Sequence, residues 1–177
     1  MKTCAWTGVL AFGVTGVVSD VQAATVFTGF DVVFSKSAFS AETDVITSSV
    51  AITRGDNQGI YNATAESSYD KSTKLAPAGT AWAFGSNNPG ETISAANWAS
   101  LTFEPWAAAL GGAGQLLGNI TAGPGVLYLA DEDVYLDIRF TEWGVVGGGP
   151  FVYERSAVPE PAGVLGVLGL GLLMRRR

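Results

Sequence analysis

The sequence has 177 residues, of which 47% are hydrophobic and 15% charged, and its formal net charge is −6. This length predicts a single compact domain. The absence of histidine excludes His-based catalytic triads and zinc hydrolases of the usual kind. The excess of 16 acidic over 10 basic residues argues against nucleic acid as a partner.

Residues 1–23 have the pattern of a secretory signal peptide. Lys2 supplies a positive start, an uncharged apolar stretch follows, and small residues lead up to a cleavage site between Ala23 and Ala24. We expect a signal helix here and export through the Sec translocon; the alternative is a buried first strand or helix of the domain. Cleavage removes Cys4, the single cysteine, so the mature protein would contain no disulfide.

Residues 158–177 consist of three successive elements: a Pro-Glu-Pro motif, an apolar run and a cluster of arginines. The prolines of the first element predict an extended, exposed linker. The 13 apolar residues that follow predict a hydrophobic helix of roughly 20 Å, short for a membrane span. The final positive charges favour a cytoplasmic end. The elements are Pro159, Glu160 and Pro161, then the run 162–174, then Arg175, Arg176 and Arg177.

This tail resembles the PEP-CTERM sorting signal of exported proteins in Gram-negative bacteria. The resemblance implies recognition and cleavage by exosortase, a membrane-embedded cysteine transpeptidase, after a transient stay of residues 162–174 in the inner membrane. It also implies a final location at the cell surface, the outer membrane or the extracellular matrix, in company with exopolysaccharide. The alternative is an ordinary C-terminal anchor.

Residues 24–157 form the predicted ectodomain. With residue 158 included they carry 14 acidic and 6 basic residues, a net charge of −8. Many short alternating segments between glycine-rich turns predict an all-β fold, an antiparallel β-sandwich of jelly-roll type. The clearest alternation is in 134–140. Other strands are predicted at 30–35, 46–53, 82–84, 98–103, 126–129 and 151–155, and a short helix near 106–110.

The last third of this domain is similar to the end of many exported PEP-CTERM ectodomains. The similarity rests on residues 134–141, on Glu142-Trp143, on a glycine run, and on the spacing of Phe151, Tyr153 and Arg155. It implies a shared β scaffold and assigns no active site.

Acidic residues cluster at Asp131, Glu132 and Asp133. Clustered oxygen ligands suit Ca²⁺, which makes Asp131 and Asp133 candidate calcium ligands. The spacing lacks the glycine and terminal glutamate of an EF-hand, so an Asp-rich hairpin turn is the favoured interpretation, with no metal or cofactor.

Asp137 and Glu142 are the candidate carboxylate pair for glycoside hydrolysis, with Trp143 as a candidate glycan-stacking residue. Their odd spacing puts the two carboxylates on opposite faces of a regular strand. Arg139 is the expected ion-pair partner of Asp137. For Trp143 and the other tryptophans, core packing is the favoured interpretation.

Arg54-Gly55-Asp56 spells a tripeptide known from cell adhesion. A Gly-Asp turn between two strands is the favoured interpretation.

These observations together predict an exported structural or binding protein of the cell surface or matrix, without catalytic activity. The alternative is a secreted carbohydrate-active enzyme that uses a carboxylate pair.

Overall fold

The computed structural model describes residues 23–159, and this part of the chain confirms the all-β class. The predicted signal helix and the hydrophobic tail helix lie outside the described residues. Within residues 23–159 no helix is long and apolar enough to span a membrane. The strands are β1 (Thr25–Phe27), β2 (Val32–Lys36), β3 (Asp44–Val45), β4 (Ala51–Arg54), β5 (Ile60–Asn62), β6 (Thr80–Phe84), β7 (Gly125–Leu129), β8 (Val134–Trp143) and β9 (Phe151–Arg155). The helices are a 3₁₀ helix (Ala95–Ser100), α1 (Trp106–Ala109) and α2 (Leu116–Asn119).

The strands form a large and a small sheet. The large sheet has the order β2-β9-β8-β7-β6, and β1 lies parallel to the first half of β8. The small sheet has the order β3-β4-β5 and is antiparallel. Strand β8 is central because its ten residues are long enough to pair with β7 and β1 at one end and with β9 at the other.

Both sheets contribute to one hydrophobic core. Ile52 and Ile60 of the small sheet are fully buried in the same cluster as Leu127, Leu136 and Phe140 of the large sheet. The burial of these apolar side chains away from water provides most of the free energy that holds the two sheets together.

A second, smaller cluster covers the other face of the large sheet. Trp98, in the 3₁₀ helix, stacks on Tyr135 with ring centroids 4.5 Å apart, and Phe103 packs edge-on against the same ring at 5.4 Å. The first half of β8 is therefore buried on both faces. Its sequence alternation predicted one solvent-facing side, and that prediction is wrong here.

Two predicted strands differ from the structure because side-chain hydroxyls redirect the backbone. Residues 98–103 do not form a strand: Ser94 accepts the N–H of Ala96 and begins the 3₁₀ helix. Within residues 46–53 only 51–53 are in a strand, and 46–50 form a turn in which Thr47 Oγ1 accepts the backbone N–H of Val50 at 3.2 Å. The strands predicted at 126–129 and 151–155 and the helix near 106 are confirmed.

A buried ion pair joins the small sheet to the large one. Asp44 of β3 accepts hydrogen bonds from the Arg155 guanidinium of β9, at 2.6 Å from Nε and 2.8 Å from Nη2. The same carboxylate accepts the Tyr153 hydroxyl at 2.6 Å. Burial, and then the neighbouring Asp44 charge, raise the pKa of Tyr153 well above its usual value.

We expect Tyr153 to remain un-ionised until the fold is lost. Its folded pKa lies above the unfolded value of about 10, so its stabilising contribution is complete below that pH and is lost as pH rises further. An absorbance titration at 295 nm should show part of the tyrosinate signal appearing only with unfolding, and Tyr153→Phe should reduce that late step. Ionisation of every tyrosine near pH 10 in protein that is still folded would contradict this expectation.

Candidate functional site

A cleft of about 340 Å³ opens where the β4–β5 turn, residues 69–74, the two α-helices and the end of β8 meet. Its walls are aromatic and aliphatic, and its charged residues are all basic. We call it the aromatic–cationic cleft, defined by Arg54, Tyr69, Lys71, Lys74, Trp106 and Trp143, with Leu116, Leu117 and Val145 among its apolar residues.

Three aromatic side chains form the inner part of the cleft. Trp106 packs against Trp143 with ring centroids 5.4 Å apart, and Tyr69 meets Trp106 edge-on at 6.3 Å. Trp106 is buried, whereas Tyr69 and Trp143 are half-buried. Gly59 permits this packing, since a Cβ there would lie 2.6 Å from the Tyr69 ring and 2.7 Å from Trp106.

Arg54 forms one wall of the cleft and orders the loops around it. Its Nε donates to the Gln58 carbonyl at 2.8 Å, and its Nη1 donates to the carbonyls of Gly144 and Pro150 at 2.9 and 3.1 Å. Its guanidinium carbon lies 3.7 Å from the Trp143 ring centroid, a cation–π contact. Burial lowers the pKa of Arg54 to about 10, so the side chain stays charged at neutral pH. The Arg54-Gly55-Asp56 tripeptide is thus a turn whose arginine is turned inward.

The basic residues of the domain divide into two groups by their partners. Lys36 is buried and donates to backbone carbonyls. Arg139 pairs with Glu154, and Arg155 pairs with Asp44. The other three basic residues of positions 23–159 all line the aromatic–cationic cleft, and none of them pairs with a carboxylate of this part of the chain.

A short turn carries the two lysines of the cleft. The Asp70 carboxylate accepts the N–H and the hydroxyl of Ser72 at 2.8 and 2.6 Å, and the Thr73 hydroxyl at 2.8 Å. These hydrogen bonds lower the pKa of Asp70 to about 2, and the bond from the Ser72 hydroxyl has the largest effect. The Asp70 carboxylate is occupied by these hydrogen bonds, and within the described part of the chain it forms no salt bridge with Lys71 or Lys74. Both lysines line the cleft.

Asp131 and Asp133 lie in the turn between β7 and β8, which confirms the predicted hairpin turn. Asp133 has a φ of 52° and its carbonyl accepts the N–H of Thr25 at 2.9 Å. Glu132 accepts the Ser49 hydroxyl. Across residues 23–159 no group of three or more His, Cys, Asp or Glu side chains is placed to hold a metal ion.

The environment predicted for Asp137 is wrong. Its side chain is buried, and its two oxygens accept backbone N–H groups of Gly29 at 3.0 Å and Ala95 at 2.6 Å. Arg139, its expected partner, pairs with Glu154 on the neighbouring strand. Asp137 thus joins the N-terminal segment and the 3₁₀ helix to β8, a structural role.

The relation between Asp137 and Glu142 also differs from the prediction. A β-bulge between Phe140 and Glu142 shifts the register, so Glu142 faces Val152 and lies on the same face as Arg139. The two carboxylates therefore share a face rather than lying on opposite faces. They are five positions apart along the strand, a distance of roughly 15 Å, which is beyond the roughly 5–10 Å typical of glycosidase pairs.

The remaining predicted site residues, apart from Trp143, lie at or beyond the edges of the described region. Ala23 is exposed, and Ala24 packs against the second hydrophobic cluster. Pro159 is exposed, whereas Glu160, Pro161 and the residues after them lie outside the described part of the chain. Trp143 lies in the aromatic–cationic cleft.

Sequence reasoning did not find the grouping of Arg54, Lys71 and Lys74. One signal was available: these are the only basic residues between positions 37 and 138. Their convergence depends on the contact between the segment 69–74 and the end of β8, which are distant in sequence.

No family model matches this sequence, and comparisons with curated proteins and with solved structures also give no match.

Proposed function

We propose that this chain is an exported, non-catalytic binding protein of the cell surface or extracellular matrix, and that its ectodomain binds polysaccharide. One observation carries the proposal: the half-buried rings of Tyr69 and Trp143 line an open cleft with polar groups at its edge. Concave sites with aromatic walls and a few placed polar groups are typical of small-ligand and sugar-ring binding. We further propose that the two mainly antiparallel sheets form a sandwich of jelly-roll type, which their shared core supports.

We also propose that both ends of the chain are processed. The first strand begins at Thr25, directly after the proposed signal cleavage site. Pro159 is exposed four residues beyond β9, where a membrane-embedded protease such as exosortase would have access to the chain. The product would be an ectodomain released to, or retained at, the outer surface.

Processing is tested by the intact mass of the protein from its native host. We expect a mass without residues 1–23 and without the sequence beyond Pro161. Replacing Pro159, Glu160 and Pro161 together by alanine should leave the protein in the inner membrane, because the linker would no longer be recognised. Full-length protein at the surface, or normal release of the triple variant, would reject the sorting proposal.

Binding is tested with the processed protein on a glycan array. Tyr69→Leu should weaken glycan binding at least tenfold because it removes a ring from the cleft. Tyr128→Leu is the matched control: this half-buried tyrosine packs on Tyr135, on the far face of the large sheet. Equal binding by both variants would reject the cleft as the binding site. Formation of new reducing ends would favour the alternative of a carbohydrate-active enzyme.

A further inference from the structure

We infer that the ligand of the aromatic–cationic cleft is an anionic saccharide, a sugar ring that carries a carboxylate or sulfate group. This inference rests on the proposed function and specifies its ligand class. It rests on the charged residues that line the cleft and on the ion-pair partners of the other basic residues in the domain.

The domain as a whole repels anions. Residues 24–158 have a net charge of −8, and a polyanion approaching most of this surface meets like charge. The cleft is the exception, because its lining contains Arg54, Lys71 and Lys74 and no Asp or Glu. None of these three positive charges has a carboxylate partner in the described part of the chain. The ionised Asp70, in the same turn as the lysines, opposes one of them, so the local net charge is +2 (3 − 1) and still attracts an anionic group.

The cleft is also built to hold a ring beside that anionic group. Tyr69 and Trp143 supply aromatic surface, and the two lysines stand at the rim on the turn organised by Asp70. Arg54 is fixed by three carbonyl acceptors through Nε and Nη1, and its Nη2 has no acceptor among residues 23–159. That nitrogen remains as a donor for a ligand oxygen.

Other ligand classes fit these observations less well. A neutral sugar would use the aromatic rings but would gain no attraction from the positive charges of the two exposed lysines. A simple anion would use the charges but not the rings. A nucleic acid would need a much larger basic surface than three residues in an acidic domain. An acidic peptide would satisfy the charges, and it is included below as a competing outcome.

The inference is tested by calorimetric titration of the processed protein at low salt. The probes are an oligogalacturonate, a sulfated galactan oligosaccharide, a neutral galactan oligosaccharide of equal length and a polyglutamate peptide. We expect at least one anionic saccharide to bind tenfold or more tightly than the neutral one, and its affinity to fall as salt is raised. The two anionic probes distinguish a carboxylate from a sulfate.

Charge-removing variants locate the site. Lys71→Gln and Lys74→Gln should each weaken binding of the anionic saccharide about three- to tenfold, and the folded state should be unaffected because both side chains are exposed. Arg139→Gln removes the same charge from an exposed residue of β8 that does not line the cleft, and it should leave the affinity unchanged.

The outcomes separate this inference from the proposed function. Equal affinity for neutral and anionic saccharides would overturn the inference while leaving polysaccharide binding in place. Binding of polyglutamate more tightly than any saccharide would overturn both in favour of an acidic peptide partner. Absence of binding by every probe would reject both. Equal effects of Lys71→Gln and Arg139→Gln would show that general charge, and not this cleft, determines binding.

Discussion

Replacing Arg155 by methionine should lower the free energy of unfolding by about 3–5 kcal/mol, the cost of leaving one partner of a buried ion pair uncompensated. The side chains of Arg155 and Asp44 are only 7% and 10% exposed. Without the guanidinium, the Asp44 carboxylate keeps one hydrogen bond, from Tyr153, and has no buried counter-charge. Because this pair joins β3 to β9, its loss also weakens the contact between the two sheets.

Urea denaturation followed by tryptophan fluorescence measures this change. The matched control is Arg139→Met, which breaks the ion pair with Glu154 on the surface of the large sheet. Those side chains are 45% and 26% exposed, so the control should cost only about 0–1 kcal/mol. Similar losses from the two variants would contradict the structural role assigned to Asp44 and Arg155.

Replacing Gly149 by alanine should destabilise the protein by about 2–4 kcal/mol, because a backbone loop must move. A Cβ at this position would lie 1.9 Å from the carbonyl oxygen of Gly55, and the φ of Gly149 is +57°. The clash adjoins Pro150, whose carbonyl accepts a hydrogen bond from Arg54. We therefore expect weaker ligand binding in the aromatic–cationic cleft together with the loss of stability.

Two glycine controls separate the clash from the backbone conformation. Gly147→Ala should change stability by no more than about 0.5 kcal/mol, since its Cβ would meet only the Phe39 ring at 3.9 Å. Gly90→Ala introduces a side chain at a φ of +87° with no atom within 4 Å, and it should show the conformational cost alone, about 1–2 kcal/mol. If Gly149→Ala costs no more than Gly90→Ala, the clash with Gly55 is not present in solution.

The β-bulge in β8 shows where strand periodicity stops being predictive. Val134, Leu136, Ile138 and Phe140 alternate as expected and enter the core. After the bulge the next core residue is Trp143, three positions later. A single extra residue reverses every later side chain, and nothing in the local sequence marks it. For this reason the prediction of the sheet face on which Glu142 lies was wrong.

Asp137 illustrates a second limit. An acidic residue at an alternating position is normally read as solvent-facing, and here it is buried as an acceptor for the backbone of Gly29 and Ala95. Those partners are 108 and 42 residues away in sequence. Only the chain path that covers the second face of the large sheet brings them to the carboxylate.

Local pattern was sufficient for the features that depend on neighbouring residues. The all-β class, the strands at 126–129 and 151–155, the helix near 106 and the turn at Asp131–Asp133 follow from alternation, an alanine-rich run and turn residues, which act over a few positions. The acidic net charge is likewise a property of composition. The candidate site was decided by tertiary structure. Arg54, the lysine turn at 71–74 and Trp143 meet because hydrophobic burial joins two sheets into one core, and that long-range packing determines which charges lack a partner.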